Sequence, residues 1–147
     1  MKYTTGKVGR TVVAKIENND DLLSSLYEII EKEKIKAGMI FLLGAIRKGK
    51  MVCGPVRDEI PPEAFWRKFP GPSETVGVGT IFCENGKPKI HLHAALGRGK
   101  QTFVGCLRTK IGVFLISEAV IIELKGVKAE RKFDKKSGLT LLVVDGK

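Results

Sequence analysis

Apolar residues recur along this chain with two periods, which predict one helix and a series of strands. Helical spacing runs from about Asp21 to Lys34, and Asn19, Asp20 and Asp21 are suitable N-cap residues. Strands are predicted at residues 7–16, 37–46, 75–83, 88–96, 101–107, 111–124, 127–133 and 139–144. A short partner strand is expected after the turn Lys48-Gly49. One helix and about eight strands predict a compact α+β domain with a mainly antiparallel sheet, formed as a single unit by residues 1–147.

The exception to short connections is the stretch from residue 54 to 73, which contains five of the six prolines and the only tryptophan. A proline at position 61 or 62 predicts the start of a short helix that places Phe65, Trp66 and Phe69 on one face. That aromatic face could cover the domain's own core, close over a site or contact another subunit. We expect the subunit contact, because an exposed aromatic patch promotes aggregation.

The two histidines of the chain lie in one predicted strand. Asn85-Gly86 between apolar runs is a strong hairpin signal, so residues 88–96 are predicted to form the second strand of a hairpin. Because strand side chains alternate between faces, Leu92 and its apolar neighbours take one face, and His91 and His93 lie side by side on the other. Two neutral imidazoles in this arrangement are candidate metal ligands. The alternative is a hydrated polar sheet face.

The charge of the chain favours a polyanionic partner. Lys and Arg total 26 against 16 Asp and Glu, a formal net charge of +10. Between Glu84 and Glu118 there is no carboxylate, although both histidines lie there. The candidate anion-binding residues of this stretch are Lys87, Lys89, Arg98, Lys100, Arg108 and Lys110. Duplex DNA is one such partner. A lysine-rich surface can also serve solubility or thermal stability alone.

Cysteine content and hydropathy predict a cytoplasmic protein. The chain has three cysteines and no C-x-x-C motif, a pattern typical of a reducing compartment. No run approaches about 18 consecutive apolar residues, so we expect no transmembrane helix and no membrane partner. The N-terminal residues lack the apolar run of a signal peptide.

Several segments together resemble a known domain. Gly79-Thr80-Ile81, the Asn-Gly turn and residues 88–97 are similar to the central motif of the plants and prokaryotes conserved (PPC) domain. The resemblance covers nearly the whole chain. It includes the run Leu42-Leu43-Gly44-Ala45, the segment that begins at Glu118, and Arg131 with Asp134 in the stretch after it. It implies a compact fold that forms homotrimers. Plant members bind AT-rich DNA through a separate AT-hook, which these 147 residues do not contain.

The family pattern also contains Gly-His-Leu twelve residues before its late glutamate, where this chain reads Gly105-Cys106-Leu107. Some members associate a metal with the histidine cluster, and cysteine thiolate is itself a good zinc ligand. The resemblance therefore implies a site of His91, His93 and Cys106 with an open fourth position, for which zinc is the expected metal. The alternative is that Cys106 is a small, buried and inert residue.

Two classes of function remain open. The first is a trimeric binding module that contacts nucleic acid or partner proteins through a basic surface. The second is a small metal-dependent enzyme, or a metal-assisted binder of an anionic metabolite. An enzyme would need a general base, and the nearest carboxylates in sequence are Glu74, Glu84 and Glu118. We favour the binding module.

Overall fold

The computed structural model describes residues 1–69 and 71–146 and shows ten strands and one α-helix. In chain order the elements are β1 (Lys7–Glu17), α1 (Leu22–Lys32), β2 (Ala37–Lys48), β3 (Lys50–Pro55), β4 (Ala64–Lys68), β5 (Ser73–Glu84), β6 (Lys87–Arg98), β7 (Gln101–Leu107), β8 (Gly112–Lys125), β9 (Ala129–Asp134) and β10 (Leu139–Val144). The predicted α+β class with a mainly antiparallel sheet is confirmed. None of the helices in these residues is long and apolar enough to cross a membrane.

The strands form one sheet in the order β1-β8-β2-β5-β6-β7-β3-β4. All neighbours on this path pair antiparallel, and the β9–β10 hairpin joins the sheet through a parallel contact between Glu84 of β5 and Arg131 of β9. The β5–β6 and β6–β7 pairs therefore lie in the middle of the sheet, and both candidate histidines are on β6.

Helix α1 begins where the sequence predicts. The Asp21 carboxylate accepts hydrogen bonds from the Ser24 N–H at 2.9 Å and from the Ser24 hydroxyl at 2.7 Å, so it caps the helix. Its second oxygen accepts from the Ile111 N–H at 2.7 Å and so ties the cap to the segment before β8. The helix then buries Leu22, Leu26 and Ile30, spaced four residues apart, against the sheet.

The core lies between α1 and one face of the sheet. Leu92, Ala94 and Leu96 of β6 alternate inward, as the sequence predicts, and Ile40 and Leu42 of β2 join them. Since every second residue of these strands is buried, the remaining residues line the opposite face.

That opposite face is largely apolar and exposed. We call it the open sheet face, and its residues Val13, Phe41, Leu43, Val76, Val78 and Val104 are each at least 41% exposed. Strand register places four of them beside one another, since Phe41 lies opposite Val78 and Leu43 lies opposite Val76. Val120 connects Val13 to this group, and Ala95 connects Val104 to it. Contiguous apolar surface of this kind is typical of an interaction site.

The aromatic segment differs from its prediction. Residues 64–68 form strand β4, paired with β3, and not a helix. Neighbouring strand residues point to opposite faces, so Phe65 and Trp66, each nearly half exposed, do not share a face. Phe69 is buried in the core and needs no partner subunit to cover it. The helix and the common aromatic face were therefore wrong, because pairing with a strand distant in sequence overrides local propensity. Pro70 lies outside the described residues.

A second correction concerns the turn Lys48-Gly49. The expected short strand is present as β3, but it pairs with β4 and β7 and not with β2. Gly49 has a φ of +152°, a left-handed backbone that redirects the chain away from β2.

Candidate metal centre and its surroundings

The β5–β6 hairpin fixes where the histidines lie. Asn85 and Gly86 both have positive φ, at 51° and 78°, which is the conformation of a two-residue type I′ turn. This turn sets the register so that Thr80 lies opposite His91 and Val78 lies opposite His93. The hairpin predicted from Asn-Gly is confirmed, with both histidines on the face away from the core.

A second tight hairpin brings in the cysteine. Arg98 pairs with Gln101 across a two-residue turn, and this register places His93 opposite Cys106. The ligand atoms of His91, His93 and Cys106 all lie within 4.8 Å of one another. The two histidine Nε2 atoms are 3.0 Å apart, and their rings are nearly perpendicular, at 81°.

The three donors fit a tetrahedral transition-metal ion. Zn–N and Zn–S bonds of their usual lengths place neighbouring ligand atoms about 3.3–3.7 Å apart. The separations found here, from 3.0 to 4.8 Å, bracket that range, so small side-chain rotations suffice. The mixture of two imidazoles and one thiol is typical of zinc and unsuited to magnesium or calcium.

The surroundings of the cluster favour the neutral, metal-competent form of His91 and place a cation beside Cys106. Burial lowers the pKa of His91, and the nearby His93, Arg131 and Arg108 lower it further, so the ring is neutral and able to coordinate at pH 7. Cys106 is buried, and the Arg108 Nε–H donates to its sulfur at 3.3 Å. This contact places a positive charge beside the sulfur atom that would bind a metal ion.

A cavity of about 450 Å³ lies beside this cluster, between α1, the ends of β6 and β7, and the β9–β10 hairpin. Arg131, a residue that sequence reasoning did not place in a site, lines it with His91 and Cys106. Arg131 is only 7% exposed, and its Nη2 donates to the Thr80 hydroxyl at 2.9 Å. Its match to the family pattern was the one signal that pointed to it.

A second cleft, also about 450 Å³, collects lysines from three separate parts of the chain. We call it the lysine cleft, and its basic residues are Lys48, Lys50, Lys68 and Lys110. The Lys50 ammonium lies 4.6 Å from the centre of the half-exposed Trp66 ring. Sequence reasoning found Lys110 alone, because the other three lysines are distant in sequence and meet only through the β3–β4 pairing.

The six cations predicted from the acid-free stretch do not form one patch. Lys87, Lys89, Arg108 and Lys110 lie near one end of the β6–β7 hairpin, and Arg98 and Lys100 lie near the other. Arg98 is nine residues along β6 from Lys89, about 30 Å at the rise of a strand. Lys89 also forms an ion pair with Glu84 at 3.4 Å, which offsets its charge.

The three carboxylates considered as general bases are not part of the cluster. Glu118 lies on β8, three strands and about 14 Å away from β6. Glu74 pairs with Gly97, at the far end of the hairpin from the histidines. Glu84 accepts from the Thr140 hydroxyl at 2.7 Å, and this bond, with Lys89 and Arg131, keeps its pKa low. Among the described residues, His91, His93 and Cys106 form the cluster without a carboxylate.

By fold and site, this is a small α+β protein with a mainly antiparallel sheet that presents a histidine–histidine–cysteine cluster on its central strands. The family model described as the Plants and Prokaryotes Conserved domain, abbreviated PCC or PPC, matches residues 3–125. The chain therefore belongs to this family, as its motifs predicted. A comparison with curated proteins finds no significant match.

Solved structures agree with this assignment over nearly the full length. A metal-containing protein from Archaeoglobus fulgidus is 26% identical, with 97% of this chain and 99% of that one aligned and a TM-score of 0.84. A PPC protein from Pyrococcus horikoshii is 29% identical over 96% of both chains, with a TM-score of 0.82. A candidate DNA-binding protein from Bacteroides thetaiotaomicron is 21% identical over 98% of this chain and 99% of that one, with a TM-score of 0.78, and shows the shared fold.

Proposed function

We propose that this chain is a metal-binding PPC-domain protein that holds one zinc ion with His91, His93 and Cys106. The observation that carries the proposal is the convergence of three suitable ligand atoms, from two paired strands, within 4.8 Å. The similar protein from Archaeoglobus fulgidus, named as metal-containing, supports it.

The chain's own residues define what such a site does. Zinc held by the three protein ligands would supply a Lewis acid. Its fourth tetrahedral position would be left for an exogenous ligand. Arg108 supports the cysteine ligand through its contact with sulfur. No carboxylate of the described residues lies in the cluster to act as general base, so the arrangement favours binding of a ligand over hydrolysis.

Elemental analysis tests the metal proposal. Tag-free protein, purified with a reductant because its cysteines are free thiols, should contain close to one zinc per chain. His93→Ala should lose most of it, whereas Cys83→Ala, which removes a thiol outside the cluster, should retain it. Metal-free wild-type protein that binds neither zinc nor cobalt would overturn the proposal.

We further propose that the protein assembles as a homotrimer through the open sheet face. The apolar residues of this face are a stronger basis for assembly than the aromatic segment, since they are contiguous and unpaired in the single chain. A second copy of this chain is the proposed occupant because the resemblance to PPC proteins implies homotrimers. Closed symmetry would cover the face on every subunit.

Weak binding of duplex DNA is a second proposed function, and the lysine cleft favours it. Four exposed lysines surround this cleft, and its lining contains no Asp or Glu. Because lysine contacts of this kind are made to phosphates, we expect little sequence preference.

A further inference from the structure

We propose that the cavity beside the metal cluster binds a small organic carboxylate, which Arg131 and Arg108 anchor. The inference deepens the proposed function, because a bound metal ion would supply part of the attraction for the anion. It rests on three features of the cavity: its charge, the buried Arg131 guanidinium whose Nε has no hydrogen-bond partner, and an apolar wall.

The cavity is cationic on one side. Lys89, Arg108 and Arg131 line it, and none of its lining residues is Asp or Glu. Lys89 pairs with Glu84 at 3.4 Å, whereas Arg131 acts on the same carboxylate only from beyond 4 Å, so Glu84 offsets the charge of Arg131 less fully. Arginine forms paired hydrogen bonds that match the geometry of a carboxylate.

Arg131 is the strongest single indication. More than nine-tenths of this residue is buried, and no carboxylate of the described residues lies within 4 Å of its guanidinium. Its Nη2 donates to Thr80, but its buried Nε has no hydrogen-bond partner. A buried, incompletely paired cation costs free energy, and an anion in the adjoining cavity would offset that cost.

The metal cluster would add to the excess of positive charge around the cavity. His91 and Cys106 line the cavity, so a divalent ion bound by them would lie at its wall. Cys106 as thiolate would offset part of the charge of that ion and of Arg108, which contacts its sulfur, and the region around the cavity would keep a net positive charge. An anion at the open coordination position would therefore meet positive charge from two directions.

The other side of the cavity determines which anion fits. Its apolar wall consists of Leu23, Ile90, Leu139 and Leu141. The Tyr27 oxygen accepts from the Ile90 N–H at 3.1 Å, which leaves the Tyr27 hydroxyl proton available to a ligand. A carboxylate with an apolar body satisfies both walls, whereas inorganic phosphate would leave the apolar wall against water.

Benzoate is the test ligand, and isothermal titration calorimetry measures its binding to zinc-loaded and to metal-free protein. We expect saturable binding that is tighter in the loaded form. Arg131→Met should weaken it about tenfold or more, the loss expected for a charge-assisted hydrogen bond. Lys132→Met removes the same charge from the neighbouring, exposed position and should leave binding unchanged.

Each further outcome separates this inference from the metal proposal. If zinc loads at one per chain but benzoate does not bind either form, the carboxylate site is overturned and the metal proposal stands. If zinc fails to load but benzoate binds the metal-free protein in an Arg131-dependent manner, the carboxylate site stands alone. Inorganic phosphate that binds as tightly as benzoate would overturn the assignment to an organic carboxylate. Should Arg131→Met fail to fold, Arg108→Met at an exposed position gives the same comparison in metal-free protein, where its contact with the Cys106 sulfur cannot act through a bound ion.

Discussion

His93 on β6 lies directly opposite Cys106 on β7, so two of the three candidate metal ligands are cross-strand neighbours. Directly opposed residues of an antiparallel pair point to the same face, with Cβ atoms about 5 Å apart. The geometry of the cluster therefore depends on strand pairing in the middle of the sheet and not on the conformation of a loop.

Replacing the cysteine tests this arrangement. Cys106→His restores the residue found at this position in the family pattern, so it should still bind about one zinc per chain. Cys106→Ala removes a ligand and should weaken zinc binding by about a hundredfold or more, beyond the loss typical of outer-shell partners. Competition with a chromophoric chelator measures both affinities. Equal zinc affinity in Cys106→Ala and the wild type would show that this sulfur is not a ligand.

Charge placed on the open sheet face should disrupt assembly. We expect a mass near three chains for the wild type by light scattering, and a smaller species for the double variant Leu43→Lys, Val78→Lys, because buried ammonium groups are costly. Phe133→Lys changes an apolar residue on β9 that is more exposed than Leu43 or Val78, and serves as the control. Wild-type protein that is monomeric at micromolar concentration would contradict the assembly.

The lysine cleft makes a quantitative prediction for DNA. With about four to six phosphate contacts, raising salt from about 50 to 200 mM should weaken binding by roughly two to three decades. The triple variant Lys50→Gln, Lys68→Gln, Lys110→Gln should lose more affinity than Lys87→Gln, Lys89→Gln, Arg98→Gln. Both variants remove three positive charges, so any difference in their affinity for one DNA duplex, measured by fluorescence anisotropy, reflects where those charges lie.

Equal losses in the two triple variants would indicate binding by overall charge, without a preferred cleft. No binding by the wild type at low salt, with protein at tens of micromolar, would remove DNA from the proposed functions. In that case the basic surface serves solubility or the binding of a small anion.

The hairpins show how far the sequence predicts this site. Asn85-Gly86 identifies a two-residue turn by its chemistry, and that turn alone places His91 and His93. A second two-residue turn, at Gly99-Lys100, sets the register that places Cys106 opposite His93. Apart from its glycine, the sequence of this turn gives no strong hairpin signal. The approach of Cys106 was therefore expected from family resemblance and not from pairing.

The lysine cleft and the open sheet face were beyond local reasoning. Lys50 and Lys68 meet because β3 pairs with β4, and this pairing was missed when residues 64–68 were predicted as helix. The open sheet face depends on the order of the six strands from β1 to β7, which sequence periodicity does not contain. Periodicity indicates which residues share a face of one strand, but contacts between strands decide the surface that results.

The cap of helix α1 provides a test of stability. Asp21→Ala removes an acceptor for the Ser24 and Ile111 N–H groups, so we expect a loss of about 1–3 kcal/mol in the free energy of unfolding. Glu28→Ala, at an exposed position of the same helix, should change it by less than about 0.5 kcal/mol. Urea denaturation measures both. Similar values for the two variants would contradict the role of Asp21 as a cap.

Glu84 gives a prediction for pH. Hydrogen bonding from Thr140 is the largest cause that lowers its pKa, followed by Lys89 and Arg131. A carboxyl whose folded pKa is lowered contributes stability above its unfolded pKa, about 4.3, and loses it as pH falls through the folded value. Thr140→Val should therefore melt below the wild type at pH 7, with a difference that narrows toward pH ~3. For Thr102→Val, an exposed control, the difference in melting temperature from the wild type should not change between pH 7 and pH ~3.

The two short turns also determine where this chain can tolerate insertions. One residue added to Asn85-Gly86 or Gly99-Lys100 would shift the pairing by one position and send every following side chain to the other face. An insertion at Asn85-Gly86 would move His93 from its place opposite Val78, and one at Gly99-Lys100 would move Cys106 from its place opposite His93. Residues 56–63, which connect β3 to β4, can change in length without moving any of the three ligand atoms. Length variation among relatives should therefore collect in that connection, while both turns keep two residues.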